Sequence, residues 1–394
     1  MKRIHILFIT MVLVSLLALA GCTVTGNATK TSAPVATTGV PAITSIASVG
    51  GIEGTLENIY AQVNPAVVNI SVLQKQDIGL GNIPNSPFST PQYSAALGSG
   101  FLWDTTGNIV TNNHVIANAD NITVTFYDGT EVPGKVIGAD ADSDLAVVKV
   151  DMPALQIQPV QMADSTQLKV GQLAIAIGNP FGLEGTMTAG IVSGLGRLIS
   201  ANQNAVGPSY SIPDIVQTDA AINPGNSGGV LLDATGRLIG VTNSIETTTG
   251  TTQGVGFAIP SAIVQQVVPA LIKTGHYDHP YLGTSILTMN STLAGAMNLP
   301  SGQRGALIES VTAGSPADKA GLQASKQSIT INGQQIFVGG DVVIAYNGQA
   351  VKSSDDLVTL IARSGAAGVK VTLTVLRDGN QVQVEVTLGV RPSS

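Results

Sequence analysis

The 394-residue sequence contains a single cysteine, Cys22, which excludes an internal disulfide, a cysteine-based zinc site and an iron–sulfur cluster. Charged residues make up only 11%, and the 18 Lys and Arg residues form no cluster, so a nucleic-acid partner is not expected. Aromatic residues are also scarce, at 4%. The chain instead holds 45 Gly and 19 Pro in a 44% hydrophobic composition, which predicts a turn-rich, mostly β protein with sizeable cores.

The N-terminus has the pattern of an export signal. Lys2 and Arg3 precede an apolar run over 4–20, and the run ends in small residues before Cys22. This ending resembles a bacterial lipobox, in which the cysteine is acylated and becomes the first residue of the mature chain. The run is short for spanning about 30 Å of hydrocarbon, and an uncleaved membrane anchor is the alternative. We expect a signal peptide over 1–21 and a lipid anchor on the outer side of the cytoplasmic membrane or in the periplasm.

Residues 22–54 are mostly small and uncharged, which predicts a flexible tether. Short apolar runs bounded by turn residues then recur over 55–276, as expected for an antiparallel barrel or sandwich. A helix should follow these runs, from Ser261 as N-cap to Gly275 as C-cap, with a kink caused by Pro269. The predicted strands are 66–73, 99–103, 108–111, 122–127, 145–150, 173–177, 188–193, 230–232, 238–241 and 254–259.

A glycine-rich segment carries the candidate nucleophile. Ser227 lies in Gly225-Asn226-Ser227-Gly228-Gly229, just before the predicted strand 230–232. Glycines permit a tight loop whose N–H groups converge on one point, so that the serine oxygen is exposed and an oxyanion is stabilised. An ordinary glycine-rich turn is the alternative.

His114 is the candidate general base, because it follows the predicted strand 108–111 and an imidazole exchanges a proton near neutral pH. It alone of the four histidines lies within the β-rich region. The others are His5 in the signal, and His276 and His279 beside the linker residue Pro280. A hydrogen-bonded structural histidine is the alternative.

Asp144 directly precedes the apolar run 145–150. A buried carboxylate at this position can orient an imidazole through Nδ1. Asp140 and Asp142 are expected to be solvated turn residues. A calcium loop is the competing interpretation of these alternating acids, but its sixth position is Leu145, where the tight turn requires glycine. No metal site and no cofactor are therefore expected.

The order His114, Asp144, Ser227 in a β-rich chain resembles the HtrA/Deg family of trypsin-like serine proteases. The matching segments are 98–101, 111–115, 142–146, 177–180, 217–229 and 256–260. The resemblance covers residues 56–391 and implies a double six-stranded β-barrel of the chymotrypsin type. It further implies an assembly that is usually trimeric and cuts unfolded proteins without ATP.

The resemblance also assigns roles in the site. Ser227 attacks, His114 exchanges the proton, Asp144 fixes the imidazole, and an oxyanion hole forms over Gly225, Asn226 and Ser227. Because Asn226 is uncharged, it cannot form the ion pair with a new N-terminus that activates many trypsin-like enzymes. We therefore expect activation by ordering of loops.

A nucleophile elbow of the α/β-hydrolase type is the rival explanation of the glycine-rich segment. That motif requires a helix after the serine and the chain order Ser, acid, His. Here a strand is predicted after Ser227, and only His276 and His279 could serve as the base. The rival is therefore disfavoured.

Substrate contacts are expected on both sides of the serine loop. Residues 74–97 are expected to form the family's long regulatory loop, and substrate main chain is expected along 245–256. The specificity pocket is assigned to Ala221, Ile222, Val255 and Gly256. Because no acid is expected there, the predicted preference is for small or medium aliphatic residues before the cut.

Residues 279–391 resemble one PDZ domain. Tyr281-Leu282-Gly283 matches its carboxylate-binding loop, which implies capture of C-terminal peptides as an added strand. A plain strand start is the alternative for these three residues. A helix over 355–362 and strands over 369–377 and 381–388 are expected, the last two joined by a hairpin turn at Asp378-Gly379-Asn380. The segment 323–338 is an insertion relative to the family pattern and is predicted to form a small hairpin.

The sequence therefore predicts an exported, lipid-anchored serine endopeptidase with one PDZ domain, acting in protein quality control in the cell envelope. Two other classes stay open. One is a chaperone or sensor that keeps the fold without proteolysis, and the other is a scaffold that mainly captures peptides.

Overall fold

The structure is a computed structural model that describes residues 49–76, 92–179, 185–200, 211–243, 254–331, 333–364 and 366–392. The predicted signal peptide, Cys22, most of the predicted tether, and the centres of the two predicted loops 74–97 and 245–256 lie outside the described residues. Within the described ranges, no helix combines the length and the apolar character that a membrane span needs.

The described part of the chain starts with helix α1 (Val49–Val63). Residues 49–54 of the predicted tether are therefore helical. Gly50, Gly51 and Gly54 disfavour a helix by propensity, which is why the sequence pattern did not show it. Ile59 and Val63 are buried in a hydrophobic core to which both barrels contribute residues. Tertiary packing therefore stabilises a segment whose own propensity is weak.

Six antiparallel strands form a first closed barrel in the order β1-β2-β3-β6-β5-β4. They are β1 (Val67–Gln76), β2 (Gln92–Leu102), β3 (Asn108–Thr111), β4 (Asn121–Thr125), β5 (Glu131–Asp140) and β6 (Leu145–Val150). A one-turn helix, α2 (Asn113–Ile116), leaves the barrel directly after β3. Strand pairing continues to Gln76 opposite Gln92, so both ends of the predicted loop 74–97 belong to strands.

A second closed barrel repeats the same topology, in the order β10-β11-β12-β9-β8-β7. Its strands are β7 (Leu173–Gly178), β8 (Thr186–Ser200), β9 (Ser211–Thr218), β10 (Val230–Leu232), β11 (Leu238–Asn243) and β12 (Gly256–Pro260). The two barrels confirm the predicted chymotrypsin-like fold. Strands β5 and β9 were not predicted, because Pro133 and Gly134 in β5 and Pro213 and Asp214 in β9 are residues that strands disfavour.

Helix α3 (Ser261–Thr274) follows the second barrel, and its apolar face packs on the core of the first. Gly275 ends it with φ 81°, as predicted for the C-cap. The predicted N-cap is wrong by one residue. Pro260 occupies that position, and the buried hydroxyl of Ser261 donates to the carbonyl of Ala163 at 2.7 Å instead.

The PDZ domain is built on the sheet path β14-β15-β18-β20-β21. Asp378 and Gly379 have φ 48° and 80°, so a two-residue turn joins β20 to β21 and confirms the predicted hairpin. The strands are β13 (Pro280–Tyr281), β14 (Thr284–Thr288), β15 (Ala306–Val311), β16 (Gln327–Ile331), β17 (Gln334–Val338), β18 (Val342–Tyr346), β19 (Gln349–Ala350), β20 (Lys370–Arg377), β21 (Asn380–Thr387) and β22 (Gly389–Val390). The helices are α4 (Ser291–Ala296), α5 (Pro316–Lys319) and α6 (Ser354–Ser364).

The insertion forms the hairpin β16–β17, as predicted. Its Ile329 and Ile336 pack on a cluster that contains Met289, Leu293 and Val342. Among the described residues, those that line the cavity between β14 and α6 include none from this hairpin. The insertion therefore covers a separate part of the PDZ domain and does not line that groove.

Candidate active site

His114 and Asp144 are held together by two hydrogen bonds. The His114 Nδ1 and the Asp144 Oδ2 are 2.7 Å apart, and the His114 main-chain N–H donates to Asp144 Oδ1 at 2.9 Å. The Asp144 side chain is 6% exposed, whereas that of His114 is 45% exposed. Because an ionised carboxylate only accepts hydrogen bonds, Nδ1 carries the proton and the Nε2 atom is left as the basic nitrogen.

The turn that carries Asp144 is fixed from three directions. Asp144 has φ 53°, and its carbonyl accepts hydrogen bonds from Asn112 Nδ2 at 2.9 Å and from the Asn113 N–H at 3.1 Å. Asn243 Nδ2 donates to Asp144 Oδ2 at 2.8 Å, so this oxygen has two partners. Asn243 was not among the predicted site residues; its signal is a buried amide at the end of the buried strand β11.

The serine loop is shaped by glycines at left-handed positions. Gly225 and Gly228 have φ 96° and 85°. A Cβ on Gly228 would lie 2.1 Å from the Ser99 carbonyl oxygen and 2.4 Å from Thr111 Oγ1, so only glycine fits. Ser227 itself is buried, and its carbonyl accepts the Ser99 N–H at 2.8 Å.

These contacts bring the three predicted residues to one seam between the two barrels. The Ser227–Gly228 segment of the second barrel lies against Ser99 and Thr111 at the ends of β2 and β3, and α2 with His114 begins directly after β3. Asn243 crosses the same seam to reach Asp144. The arrangement places an acid–base pair beside a buried serine in a tight loop.

The residues assigned to the specificity pocket lie on both sides of this loop. Ile222 is buried, and a Cβ on Gly256 would lie 2.8 Å from its Cδ1 atom. Val255 is exposed, and the Ala221 carbonyl accepts the Thr188 hydroxyl at 2.8 Å. The Ile222 side chain therefore packs directly against Gly256, which leaves room for it because it has no side chain.

A cavity of about 460 Å³ lies between the PDZ domain and the protease domain, and residues of both domains line it. Its lining includes Tyr281, Leu282 and Gly283 of the predicted carboxylate-binding loop together with Ile286 of β14 and Ile361 of α6. Gly283 has φ 86°, and a Cβ on it would lie 2.2 Å from the Ser315 Cβ. The loop therefore keeps its shape only with glycine at this position.

Both predicted turn acids, Asp140 and Asp142, are paired with the PDZ domain, so the expectation that they are solvated is wrong. Asp140 Oδ2 lies 2.8 Å from His279 Nε2, and Asp142 Oδ2 accepts Arg391 Nη1 at 2.9 Å. Burial raises the pKa of Asp140, but the His279 hydrogen bond and charge and the hydrogen bonds from Ser143 outweigh it, so this pKa lies below its ordinary value. Each carboxylate thus has a protein partner, which leaves no reason for a calcium loop.

The α/β-hydrolase alternative also fails on geometry. The segment after Ser227 leads into strand β10 and not into a helix. His279 is engaged by Asp140, whereas His114 is paired with the buried carboxylate of Asp144. His114 precedes Ser227 in the chain, whereas the histidine of a nucleophile-elbow enzyme follows its serine.

Comparison with known proteins agrees with the two-domain architecture. Residues 98–241 match the model of a trypsin-like peptidase domain, and residues 280–388 match that of a PDZ domain. Protease Do-like 1 of Arabidopsis thaliana chloroplasts is 39% identical over 335 residues, which are 85% of this chain and 71% of that protein. A probable periplasmic serine endoprotease, DegP-like, of Hahella chejuensis is 39% identical over 358 residues, covering 85% and 70%.

Solved structures show the same fold. The HtrA-type protease AlgW, with a decapeptide, superposes with a TM-score of 0.64 at 31% identity and covers 86% of this chain and 99% of its own. The serine endoprotease from Yersinia pestis superposes with a TM-score of 0.55 at 27% identity, covering 85% and 98%. The fold and site thus define a trypsin-like serine protease joined to one PDZ domain. More narrowly, the chain belongs to the HtrA/DegP-like family of serine endoproteases.

Proposed function

We propose that His114, Asp144 and Ser227 form a catalytic triad that cleaves unfolded or misfolded polypeptides. The observation that carries this proposal is the paired His114 and Asp144 at the seam where the Ser227 loop is bound. The names of the relatives agree with a serine nucleophile. No cofactor is needed, because the side chains supply the nucleophile, the base and the orienting acid.

The triad works through proton transfer by one imidazole. Ser227 Oγ attacks the peptide carbonyl as His114 Nε2 takes its proton, and the imidazolium then gives that proton to the leaving amine. Asp144 holds the tautomer with Nδ1 protonated and stabilises the imidazolium. Water repeats the sequence on the acyl-enzyme and releases Ser227.

The oxyanion hole is assigned to the N–H groups of Gly225 and Ser227, on either side of Asn226. Loss of one such donor typically costs about 2.7–4 kcal/mol of transition-state stabilisation. Asn226 is buried, and its Oδ1 accepts no hydrogen bond from the described residues. Since this side chain is neutral, activation proceeds by ordering of loops and not by an N-terminal ion pair.

The specificity pocket accepts small or medium aliphatic residues before the cut. Ala221, Ile222, Val255 and Gly256 bring no charge to it. Asp219, the nearest acid before Ala221, accepts the Ile191 N–H at 2.6 Å and so supports β8. Substrate main chain is assigned to the segment 245–256. A peptide panel in which Arg before the cut is preferred would contradict this assignment.

The PDZ domain, over 279–391, binds C-terminal peptides through Tyr281, Leu282 and Gly283. A peptide adds as a strand beside β14, and main-chain N–H groups hold its carboxylate. The related AlgW structure contains a decapeptide, which supports peptide binding by this architecture. The protease domain over 55–276 then acts on the captured polypeptide.

The enzyme works in the cell envelope, attached through acylated Cys22 after removal of residues 1–21. The relative from Hahella chejuensis carries a periplasmic name, which supports this location. We further propose a homotrimer or larger assembly acting in protein quality control.

Casein digestion tests the proposed function. Wild-type protein should degrade unfolded casein without ATP, and Ser227→Ala should abolish degradation while leaving the thermal unfolding temperature unchanged within a few degrees. The matched control is Ser261→Ala, which removes a buried hydroxyl that donates to the Ala163 carbonyl. No digestion by the folded wild-type protein would instead support a chaperone, a sensor or a peptide-capturing scaffold. Equal digestion by Ser227→Ala and wild type would show that Ser227 is not the nucleophile.

A further inference from the structure

Ser99, in strand β2 of the first barrel, contacts the serine loop through two separate groups, its main-chain N–H and its hydroxyl. Its N–H donates to the Ser227 carbonyl at 2.8 Å, and its hydroxyl donates to the Gly225 carbonyl at 2.6 Å. The Ser99 side chain is fully buried in strand β2. One residue of the first barrel therefore holds the serine loop of the second barrel at two points, two residues apart.

The two peptide groups between those points are held through their carbonyl oxygens, and the first is also held through its N–H. The Gly225–Asn226 peptide has its oxygen on the Ser99 hydroxyl and its N–H on the Asn223 carbonyl at 2.9 Å. The Asn226 carbonyl accepts the Gly229 N–H at 2.9 Å and the Thr242 hydroxyl. Because N–H and C=O point in opposite directions in a trans peptide, the Ser227 N–H points away from these two donors.

Among the described residues, the Ser99 side chain alone donates to the Gly225 carbonyl, whereas the Asn226 carbonyl has two donors and the Ser227 carbonyl accepts a main-chain N–H. Glycine adopts φ of either sign at similar cost, and Gly225 has φ 96°. Without the Ser99 hydroxyl, the residue that carries one of the two proposed oxyanion donors loses its side-chain anchor. The hydroxyl thus supplies the orientation that the glycine backbone does not supply itself.

Ser99 is also the end of a hydrogen-bonded path that begins in α1. The Tyr60 hydroxyl donates to the Gly185 carbonyl at 2.6 Å, and the Gly185 N–H donates to Asn179 Oδ1 at 2.8 Å. The Asn179 N–H in turn donates to Ser99 Oγ at 2.8 Å. This donor leaves the hydroxyl proton of Ser99 for the Gly225 carbonyl.

We propose that Ser99 is a positioning residue for the oxyanion hole, whose hydroxyl fixes Gly225 and links the serine loop to Asn179 and α1. The inference rests on the proposed function, since it requires the N–H groups of Gly225 and Ser227 to hold the oxyanion. Ser99 does not touch the reacting atoms. It acts through the main chain of Gly225.

The predicted signature is a change in kcat without a change in KM. Loss of the Ser99 hydroxyl misplaces a donor that acts mainly in the transition state, and small misplacements of this kind cost up to about 100-fold. Ser99→Ala should therefore lower kcat for an aliphatic peptide substrate by about 10- to 100-fold, with KM within about twofold. Ser99→Thr keeps a hydroxyl and should restore kcat to within about threefold of wild type.

The experiment uses the full chain with a fluorogenic peptide and a fluorophosphonate probe. In Ser99→Ala the second-order rate of probe labelling should fall in parallel with kcat, because the phosphonyl oxygen occupies the oxyanion hole. Ser261→Ala, which removes a buried hydroxyl with a similar bond to a carbonyl, should keep both rates. Ser99→Cys, which nearly preserves volume but donates weakly, replaces Ser99→Ala if that variant does not fold.

The outcomes separate this inference from the proposed function. If Ser227→Ala is inactive and unlabelled while folded Ser99→Ala or Ser99→Cys keeps the wild-type kcat and labelling rate, the Ser99 inference is wrong and the triad stands. A fall in kcat that Ser261→Ala shows equally would also overturn it, since the effect would then be one of general stability. If Ser227→Ala keeps peptidase activity, the proposed function itself fails.

Discussion

His279 Nε2 of the PDZ domain lies 2.8 Å from Oδ2 of Asp140, four residues before the carboxylate that holds the His114 imidazole. Both side chains of this pair are mostly buried. The neighbouring pair of Arg391 and Asp142 joins the same turn to the C-terminal end of the PDZ domain. The turn that carries Asp144 is therefore attached to the domain that holds the peptide groove.

The pair of His279 and Asp140 makes a prediction for the pH dependence of stability. Because the folded-state pKa of Asp140 is lowered, its contribution is present above the unfolded pKa of about 3.9 and is lost as pH falls through the folded value. Asp140→Asn should thus lower the free energy of unfolding by about 1.5–3 kcal/mol at pH 7. Its effect should be smaller at pH 3. Urea unfolding at both pH values checks this, and an equal loss at pH 3 and pH 7 would contradict it.

Asn243 should affect the rate through Asp144 alone. Asn243→Ala removes one of two donors to Asp144 Oδ2 and should lower kcat about 10-fold, because a hydrogen bond to a charged group contributes about 1.5–3 kcal/mol. Asp144→Asn should lower kcat by about 10⁴-fold through the wrong imidazole tautomer. Peptidase kinetics of the double variant decide the matter, since Asn243→Ala should add little to Asp144→Asn. Full additivity of the two effects would show that Asn243 acts elsewhere.

Gly228 should tolerate no side chain. Gly228→Ala places a Cβ 2.1 Å from the Ser99 carbonyl at φ 85°, so the serine loop must move and casein digestion should fall by more than 100-fold. Gly196→Ala is the matched control, because Gly196 has φ 68° but no atom within 4 Å of the added Cβ. That variant should lose only about 1–2 kcal/mol and keep its activity. Wild-type digestion by Gly228→Ala would refute the geometry of the loop.

Peptide binding by the PDZ groove should depend on the free carboxylate and on the apolar side of the groove. Ile286→Glu in the Ser227→Ala chain should weaken binding of a peptide with an aliphatic C-terminus at least 10-fold, because Ile286 lines the cavity. Fluorescence anisotropy with labelled peptide measures the dissociation constant. The same peptide with a C-terminal amide should bind as weakly to the unaltered groove. Equal affinity for acid and amide would mean that Tyr281, Leu282 and Gly283 do not hold a carboxylate.

Much of the fold could be predicted because its local signals agree with its tertiary contacts. The predicted bounds of β3, β6 and β10 match the structure. These strands are short apolar runs bounded by turn residues, a pattern that is typical of buried strands. Strands β5 and β9 contain proline, glycine and aspartate, and pairing with strands such as β6 and β8 gives them a stability that their own residues do not indicate. Helix α1 also depends on tertiary packing, and it was not predicted because its glycines disfavour a helix.

The site residues that were not predicted from the sequence are those whose role depends on tertiary contacts. His114, Asp144 and Ser227 could be proposed from the sequence alone, because they carry recognisable chemistry at motif positions. Ser99 stands within a matching motif, but nothing in the chain indicates that its hydroxyl reaches a carbonyl 126 positions later. The partners of Asp140 and Asp142 could not be predicted either, because they lie in another domain, at His279 and Arg391.

The most direct test of the triad is to identify by mass spectrometry the residue that a fluorophosphonate modifies in the full-length protein. The account predicts one adduct, on Ser227, whose formation is abolished by Ser227→Ala and slowed by orders of magnitude in His114→Ala. An adduct on another serine, or labelling of Ser227 at an undiminished rate without the imidazole, would contradict it.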